Sequence, residues 1–221
     1  MQLNWRKKDE YSNITKIFMD LERGKLKPGV NQENKERQKG VFVDVGFGDY
    51  PVLKCGKRVF GEDEIYLGLE LDREKVDDIA EEYEGNTGIQ FKKIEGDQDE
   101  FRFPVADGTV TEVHIGNVFG IPGAVNTHNL QLVLEESIRI LKEGGTLSVL
   151  ETLTPNYSRD YFEEILKRYN LRITLSITPN SPEWEQIVSE YYHRRDWDSD
   201  SWKNEYYFIK AEKLAQKSRD E

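Results

Sequence analysis

Apolar residues along this chain fall into short runs of two kinds. Some are continuous or β-branched and flanked by glycine. Others recur at three- and four-residue intervals. The first kind predicts strands at Val41 to Val45, Ile65 to Glu70, Gly88 to Ile94, Val110 to Asn117, Thr146 to Leu150, Leu171 to Ile177 and Tyr206 to Ala211. The second predicts helices between them. Asp72 to Glu84 turns Val76, Ile79 and Ala80 inward, and Gly85 follows as its stop. His128 to Leu141 aligns Leu130, Val133, Leu134, Ser137, Ile138 and Leu141, with Gly144-Gly145 expected to end it. Arg159 to Tyr169 buries Phe162, Ile165 and Leu166. Pro51 suits a first helical turn, but Gly56 keeps that helix short or irregular. Ahead of the first strand, Tyr11 to Arg23 predicts one more helix, with Ile14, Ile17, Phe18 and Leu21 on one face. Strands alternating with helices imply an α/β fold, a parallel sheet covered on both faces.

In such sheets a ligand binds beyond the carboxyl ends of the strands. The chemistry should therefore sit where the predicted strands stop. The first stops in Gly46-Phe47-Gly48, whose glycines allow a tight turn and a close backbone approach. The second stops in Glu70, the third near Asp97 and Gln98, and the fourth in Asn117 within a glycine-rich stretch to Gly123. A glycine turn after one strand and an acid after the next suits a ribose-bearing cofactor.

Composition narrows the possibilities. At 221 residues the chain fits one domain with a full core. Ten Phe, eleven Tyr and four Trp argue against wholesale disorder despite 33% charged residues. The net charge of −11 gives no general attraction for a phosphate backbone. Residues 1 to 40 nevertheless carry ten Lys/Arg against six Asp/Glu. This basic arm is ordinarily a solvated charge run, and alternatively a guide for an anionic substrate such as nucleic acid. The single cysteine, Cys55, excludes an internal disulfide, a cysteine-only metal site and an iron–sulfur cluster of the usual kind. No metal site is expected. No run reaches transmembrane length and no signal-peptide core is present, so no membrane partner is expected and the cytoplasm is the default location.

The residues at the strand ends also carry a family resemblance. Asp44-Val45-Gly46-Phe47-Gly48 resembles the first motif of class I S-adenosylmethionine (SAM) dependent methyltransferases, and Gly68-Leu69-Glu70 is similar to that family's acidic strand end. Glu95-Gly96-Asp97 with Phe103-Pro104 resembles its adenine-side motif. Glu136-Ser137-Ile138-Arg139-Ile140-Leu141-Lys142-Glu143-Gly144-Gly145 closely resembles its segment before the fifth strand. The four stand in the family's order over residues 41 to 151. One departure is Tyr50, where the family often has a third glycine. The resemblance implies a Rossmann-like, doubly wound seven-stranded sheet, mostly parallel with an antiparallel last strand. It implies residues 41 to 221 as the SAM-dependent domain, after an N-terminal helix and arm. It implies SAM as cofactor, held by Asp44, Gly46, Phe47, Gly48, Glu70, Leu71, Asp97, Gln98 and Asn117. Glu70 would accept from the ribose hydroxyls, Asp97 from the adenine amine, and Asp44 would orient the loop and meet the methionine ammonium. Glu70 also reads as a solvated strand-end acid, Asp97 as a loop acid and Asn117 as a residue that satisfies a turn.

The implied reaction moves a methyl group from SAM to an oxygen or nitrogen nucleophile, on a small molecule by the further likeness of residues 103 to 108 and 136 to 145. Such a reaction needs a base only for a weakly acidic nucleophile. His114, His128, Tyr157 and His193 are the candidates. His128 is best placed, although a helix start is its ordinary role, and His114 in mid-strand should be packed. Residues 179 to 204 hold Trp184, Tyr191, Tyr192, His193, Arg194, Arg195, Trp197 and Trp202. They read either as a substrate lid or as a helix packed on the domain edge. RNA or protein as methyl acceptor, and a non-catalytic module of the same fold, remain alternatives. A nicotinamide oxidoreductase is disfavoured, because Asp49 and Tyr50 would oppose a pyrophosphate.

Overall fold

The computed structural model describes residues 40–94, 102–116, 118, 127–152, 158–192 and 206–215, with the backbone alone for 127–129. The expected Tyr11 to Arg23 helix and the basic arm lie outside them. So do Asp97, Gln98, Asn117, Tyr157, His193 and the tryptophans at 197 and 202.

Seven strands form one sheet in the order β3-β2-β1-β4-β5-β7-β6. They are β1 (Gly40–Val45), β2 (Glu64–Glu70), β3 (Ile89–Lys93), β4 (Val110–Gly116), β5 (Leu141–Thr152), β6 (Leu171–Ile177) and β7 (Tyr206–Lys213). β1 pairs in parallel with both β2 and β4, β3 extends the sheet from β2, and β5 extends it from β4. β7 runs antiparallel between β5 and β6. This is the α/β, doubly wound architecture expected, including the reversed last strand. The chain leaves β1 towards one edge and returns at β4 towards the other, so the switch point lies between β1 and β4.

Alternation along the strands sorts side chains to two faces. On one face Val41, Val43 and Val45 join Ile65, Leu67 and Leu69 of β2 in one cluster with α3 (Thr127–Ile140) and α4 (Arg159–Arg168), which contribute Leu130, Leu134, Phe162 and Leu166. On the other face Phe42, Tyr66, Leu150 and Phe208 pack with Val52 and with Trp184, Val188 and Tyr191 of α5 (Trp184–Tyr191). α2 (Arg73–Glu82) starts at Asp72, whose side chain caps Glu74 N–H at 2.9 Å, and it covers Phe47 through Val76 and Ile79.

The β1–β2 crossover is unusual. Its helix, α1 (Val52–Cys55), is four residues long, with Pro51 before it and Gly56 after it. An α5 from the β6–β7 connection covers the face that this short helix leaves open. Lys57 and Arg58 donate backbone N–H groups to Ser189 and Glu190 carbonyls at 2.8 and 3.2 Å, satisfying the end of α5. A Cβ on Gly56 would lie 2.2 Å from Glu190 O, so only glycine fits there. Beneath α5, Arg58 bonds Glu112 and Glu64 at 2.8 Å each, and Tyr191 O–H donates to Glu112 at 2.6 Å. Trp184 and Tyr191 are thus core residues.

One expectation is corrected. Gly144-Gly145 does not end α3. The helix stops at Ile140, and Leu141 already pairs with Val110 of β4. The next pair is Glu112 with Thr146, so the two glycines take up an irregularity inside the β5 path, Gly144 at φ +72°. Carbonyls at the end of α3 are met from distant segments instead. Lys213 Nζ donates to Ile138 and Leu141 at 2.7 and 2.6 Å, and Gly108 and Thr109 donate to Arg139 and Ile140 at 3.0 and 2.9 Å. With those groups satisfied, no glycine cap is needed.

Candidate functional site

The β1–β2 turn begins in a buried strand and ends in an exposed loop. Asp44 is the last polar residue of β1 and is 2% exposed. Its Oδ2 accepts Val52 N–H at 2.8 Å and Tyr66 O–H at 2.5 Å. One carboxylate oxygen therefore closes the loop from 44 to 52 and ties it to β2. Burial pushes the Asp44 carboxyl from 3.8 up to about 6. The two donated bonds hold it from rising further, and the charge of Glu70 adds to the rise. Burial, and then the neighbouring Asp44 charge, keep the Tyr66 phenol protonated.

The turn itself is Phe47 to Tyr50, closed by Tyr50 N–H on Phe47 O at 2.9 Å. Gly46 and Gly48 adopt φ +68° and +50°, a region that favours glycine. Their free sides differ. A Cβ on Gly46 would meet Val118 Cγ2 at 2.4 Å, whereas at Gly48 only Lys75 Nζ comes near, at 3.9 Å. The close approach expected of both glycines is open at Gly48; at Gly46 a residue beyond β4 fills it. Phe47 is buried against α2 and Phe91, so it can offer a ligand only its backbone. Tyr50 is half exposed and meets Tyr192 edge-on, ring centroids 6.0 Å apart.

Glu70 ends β2 at the same rim. Its Oε2 accepts Gly48 N–H at 2.9 Å, and its Oε1 accepts Leu71 N–H at 2.7 Å. The carboxylate thus bridges the first glycine turn and the start of the second crossover, with Leu71 exposed beside it. Asp44, Gly46, Phe47, Gly48, Glu70 and Leu71 are brought to one rim. Asp97, Gln98 and Asn117 follow β3 and β4, outside the described residues.

Of the candidate bases, His114 is packed, as expected. It stacks on Tyr191 at 4.6 Å, meets Ser148 Oγ at 3.0 Å, and burial pushes its pKa down to about 3. His128 begins α3, and its side chain is not among those described. Tyr66, Val118 and Glu151 escaped the sequence reading. Glu151 carried a usable signal: like Glu70, it is an acid ending a buried strand.

No family model matches the chain, and no curated protein sequence matches it. Solved structures do match. A SAM-dependent methyltransferase from Mesorhizobium loti is 14% identical, covers 80% of this chain and 92% of its own, and has a TM-score of 0.52. A geranyl diphosphate methyltransferase in complex with GPP and sinefungin is 14% identical over 91% of this chain and 76% of its own, at 0.51. A TehB-like SAM-dependent methyltransferase from Corynebacterium glutamicum is 13% identical over 93% and 98%, also at 0.51. The chain has the fold of class I SAM-dependent methyltransferases.

Proposed function

We propose that this chain is a class I SAM-dependent methyltransferase that carries a methyl group from SAM to an oxygen or nitrogen nucleophile on a small molecule. The observation that carries the reading is Glu70 bonded to Gly48 N–H where β1 and β2 end, which puts an acceptor carboxylate beside an open glycine backbone. Structures of the same fold are named for this chemistry, and one is named for an isoprenoid diphosphate acceptor.

The donor set fits SAM. The cofactor has no phosphate to bind, and it brings a ribose diol, an adenine and a cationic methionine end. Glu70 would accept from the diol, since an ionised carboxylate takes two donors well. Leu71 would lie against the adenine. Gly48 leaves room for the backbone to approach. Asp44, buried and close under the loop, would favour the ammonium electrostatically while fixing the loop through Val52. Asp97 and Gln98 would meet the adenine amine, and Asn117 would line the cleft from β4. When bound, SAM supplies a methyl group already activated on sulfur. The protein then has to hold the acceptor in line with it, about 3 Å away, and keep water out. His128 is retained as the candidate base for an acceptor that must lose a proton.

Glu70→Ala tests the assignment. SAM binding is expected to disappear while the circular dichroism spectrum stays that of the parent. Parent affinity in a folded Glu70→Ala protein would refute it.

A further inference from the structure

β5 carries an acid one residue before its end, as β2 ends in one, but this acid points into the fold. Glu151 is fully buried. A buried carboxylate is costly unless its oxygens are bonded, and here Oε1 accepts the backbone N–H of Val118 at 2.5 Å. Val118 is the second residue beyond β4. Its side chain rests on the α3/α4 face of the core, and its Cγ2 fills the space that a side chain on Gly46 would need. The bond and the contact form one chain of support. It runs from the end of β5, through Val118, to the glycine turn leaving β1. β1, β4 and β5 are successive neighbours in the sheet, so this chain crosses the rim at the switch point.

We infer that Glu151 is a positioning residue: through the backbone of Val118 it holds the Val118 side chain against Gly46 and so fixes the conformation of the glycine turn. The inference rests on the reading of that turn as part of the SAM site. Glu151 touches no ligand in this role. It acts through the backbone of Val118, and the glycine at 46 is explained by Val118 as much as by any ligand. A carboxylate suits the task because its oxygen accepts the N–H.

The test uses the full chain, with SAM titrated calorimetrically against the parent, Glu151→Gln, Glu151→Leu and Val118→Ala, each at a temperature where its melt shows it folded. Glu151→Gln keeps an acceptor of the same shape and is expected to stay within about threefold of the parent, whereas Glu151→Leu is expected to weaken SAM about tenfold, as loss of a buried bond does. Val118→Ala keeps the bond but empties the space over Gly46, and it is expected to weaken SAM severalfold. Amide exchange at Val118 should quicken in Glu151→Leu and not in Glu151→Gln. Parent affinity in both Glu151→Leu and Val118→Ala overturns the inference. If Glu151→Leu does not fold, Val118→Ala decides alone. A parent that binds no SAM overturns the reading of the site, and this inference with it, and is told apart by the first titration.

Discussion

Replacing Asp44 by asparagine separates what this carboxylate does for the fold from what it does for a ligand. The amide can still accept from Val52 N–H and Tyr66 O–H, so the loop keeps its closure. What disappears is a buried charge. The Asp44 carboxyl is raised from 3.8 to about 6 in the folded chain. The folded state therefore holds its proton at pH values where the unfolded chain has lost it. The Asp44 contribution to stability falls as pH rises through that window and is flat above it. The cost approaches about 3 kcal/mol by pH 7, of which about 2 kcal/mol or more develops above pH 4. Glu112 contributes in the opposite sense. Burial opposes its ionisation, but the charge and hydrogen bond of Arg58 prevail and hold it below its usual value, so its stabilisation is lost as pH falls. His114, held down near 3 by burial, also stabilises increasingly as pH rises towards its ordinary value, so the parent profile mixes all three. Urea unfolding of the parent and Asp44→Asn, at steps from pH 4 to pH 7, isolates Asp44 in the difference. The asparagine variant should gain about 2 to 3 kcal/mol on the parent across that range. A difference that stays flat, or one that shrinks, refutes the assignment of a strained buried carboxylate. The same variant should bind SAM more weakly at pH 7. The parent's SAM affinity should rise as pH passes about 6, and that rise should be missing in Asp44→Asn.

Three further outcomes are expected. Glu112→Leu leaves the Arg58 guanidinium without its main partner beneath α5, and urea denaturation should show a loss of about 3 kcal/mol; a loss below about 1 kcal/mol would mean the ion pair does not anchor that face. Trp184→Ala should destabilise by about 3 to 5 kcal/mol, as a core truncation does, and unchanged stability would restore the lid reading for this residue. Tyr207→Phe removes a buried hydroxyl that has no hydrogen-bond partner among the described residues, so its melting temperature should stay level or rise; a clear fall would reveal a partner for that oxygen.

The strands and most helices were legible because burial imposes a period. β6 falls at Leu171–Ile177, as its apolar run predicts, and all of Val41 to Val45 is buried. The reach of distant partners was not legible. Lys213 capping α3 from β7 is separated from Ile138 by 75 residues, and no local pattern announces it. The glycine pair misled for that reason: glycine after a helical stripe is ordinarily a cap, but here the cap comes from elsewhere. The Glu136–Arg139 segment was recognised and its role was not. Arg139 bonds Glu136, Asp107 and the Phe103 and Val105 carbonyls, while Glu136 accepts Phe103 N–H at 2.7 Å. Two segments that looked like separate motifs are one clamp holding residues 103–107 on α3. Glu70 and the glycines were legible as rim residues from their place at strand ends. Tyr66 was not, because a tyrosine in a buried strand looks like any other core aromatic until its hydroxyl is seen on Asp44.

We propose that the rim holding Gly48 and Glu70 takes SAM. Calorimetric titration of the purified chain with SAM, with its demethylated product and with NAD tests it most directly. Micromolar binding of SAM or its product, with none for NAD, is the predicted result. Silence for SAM and its product would contradict the account, and binding of NAD alone would replace it with nucleotide redox chemistry.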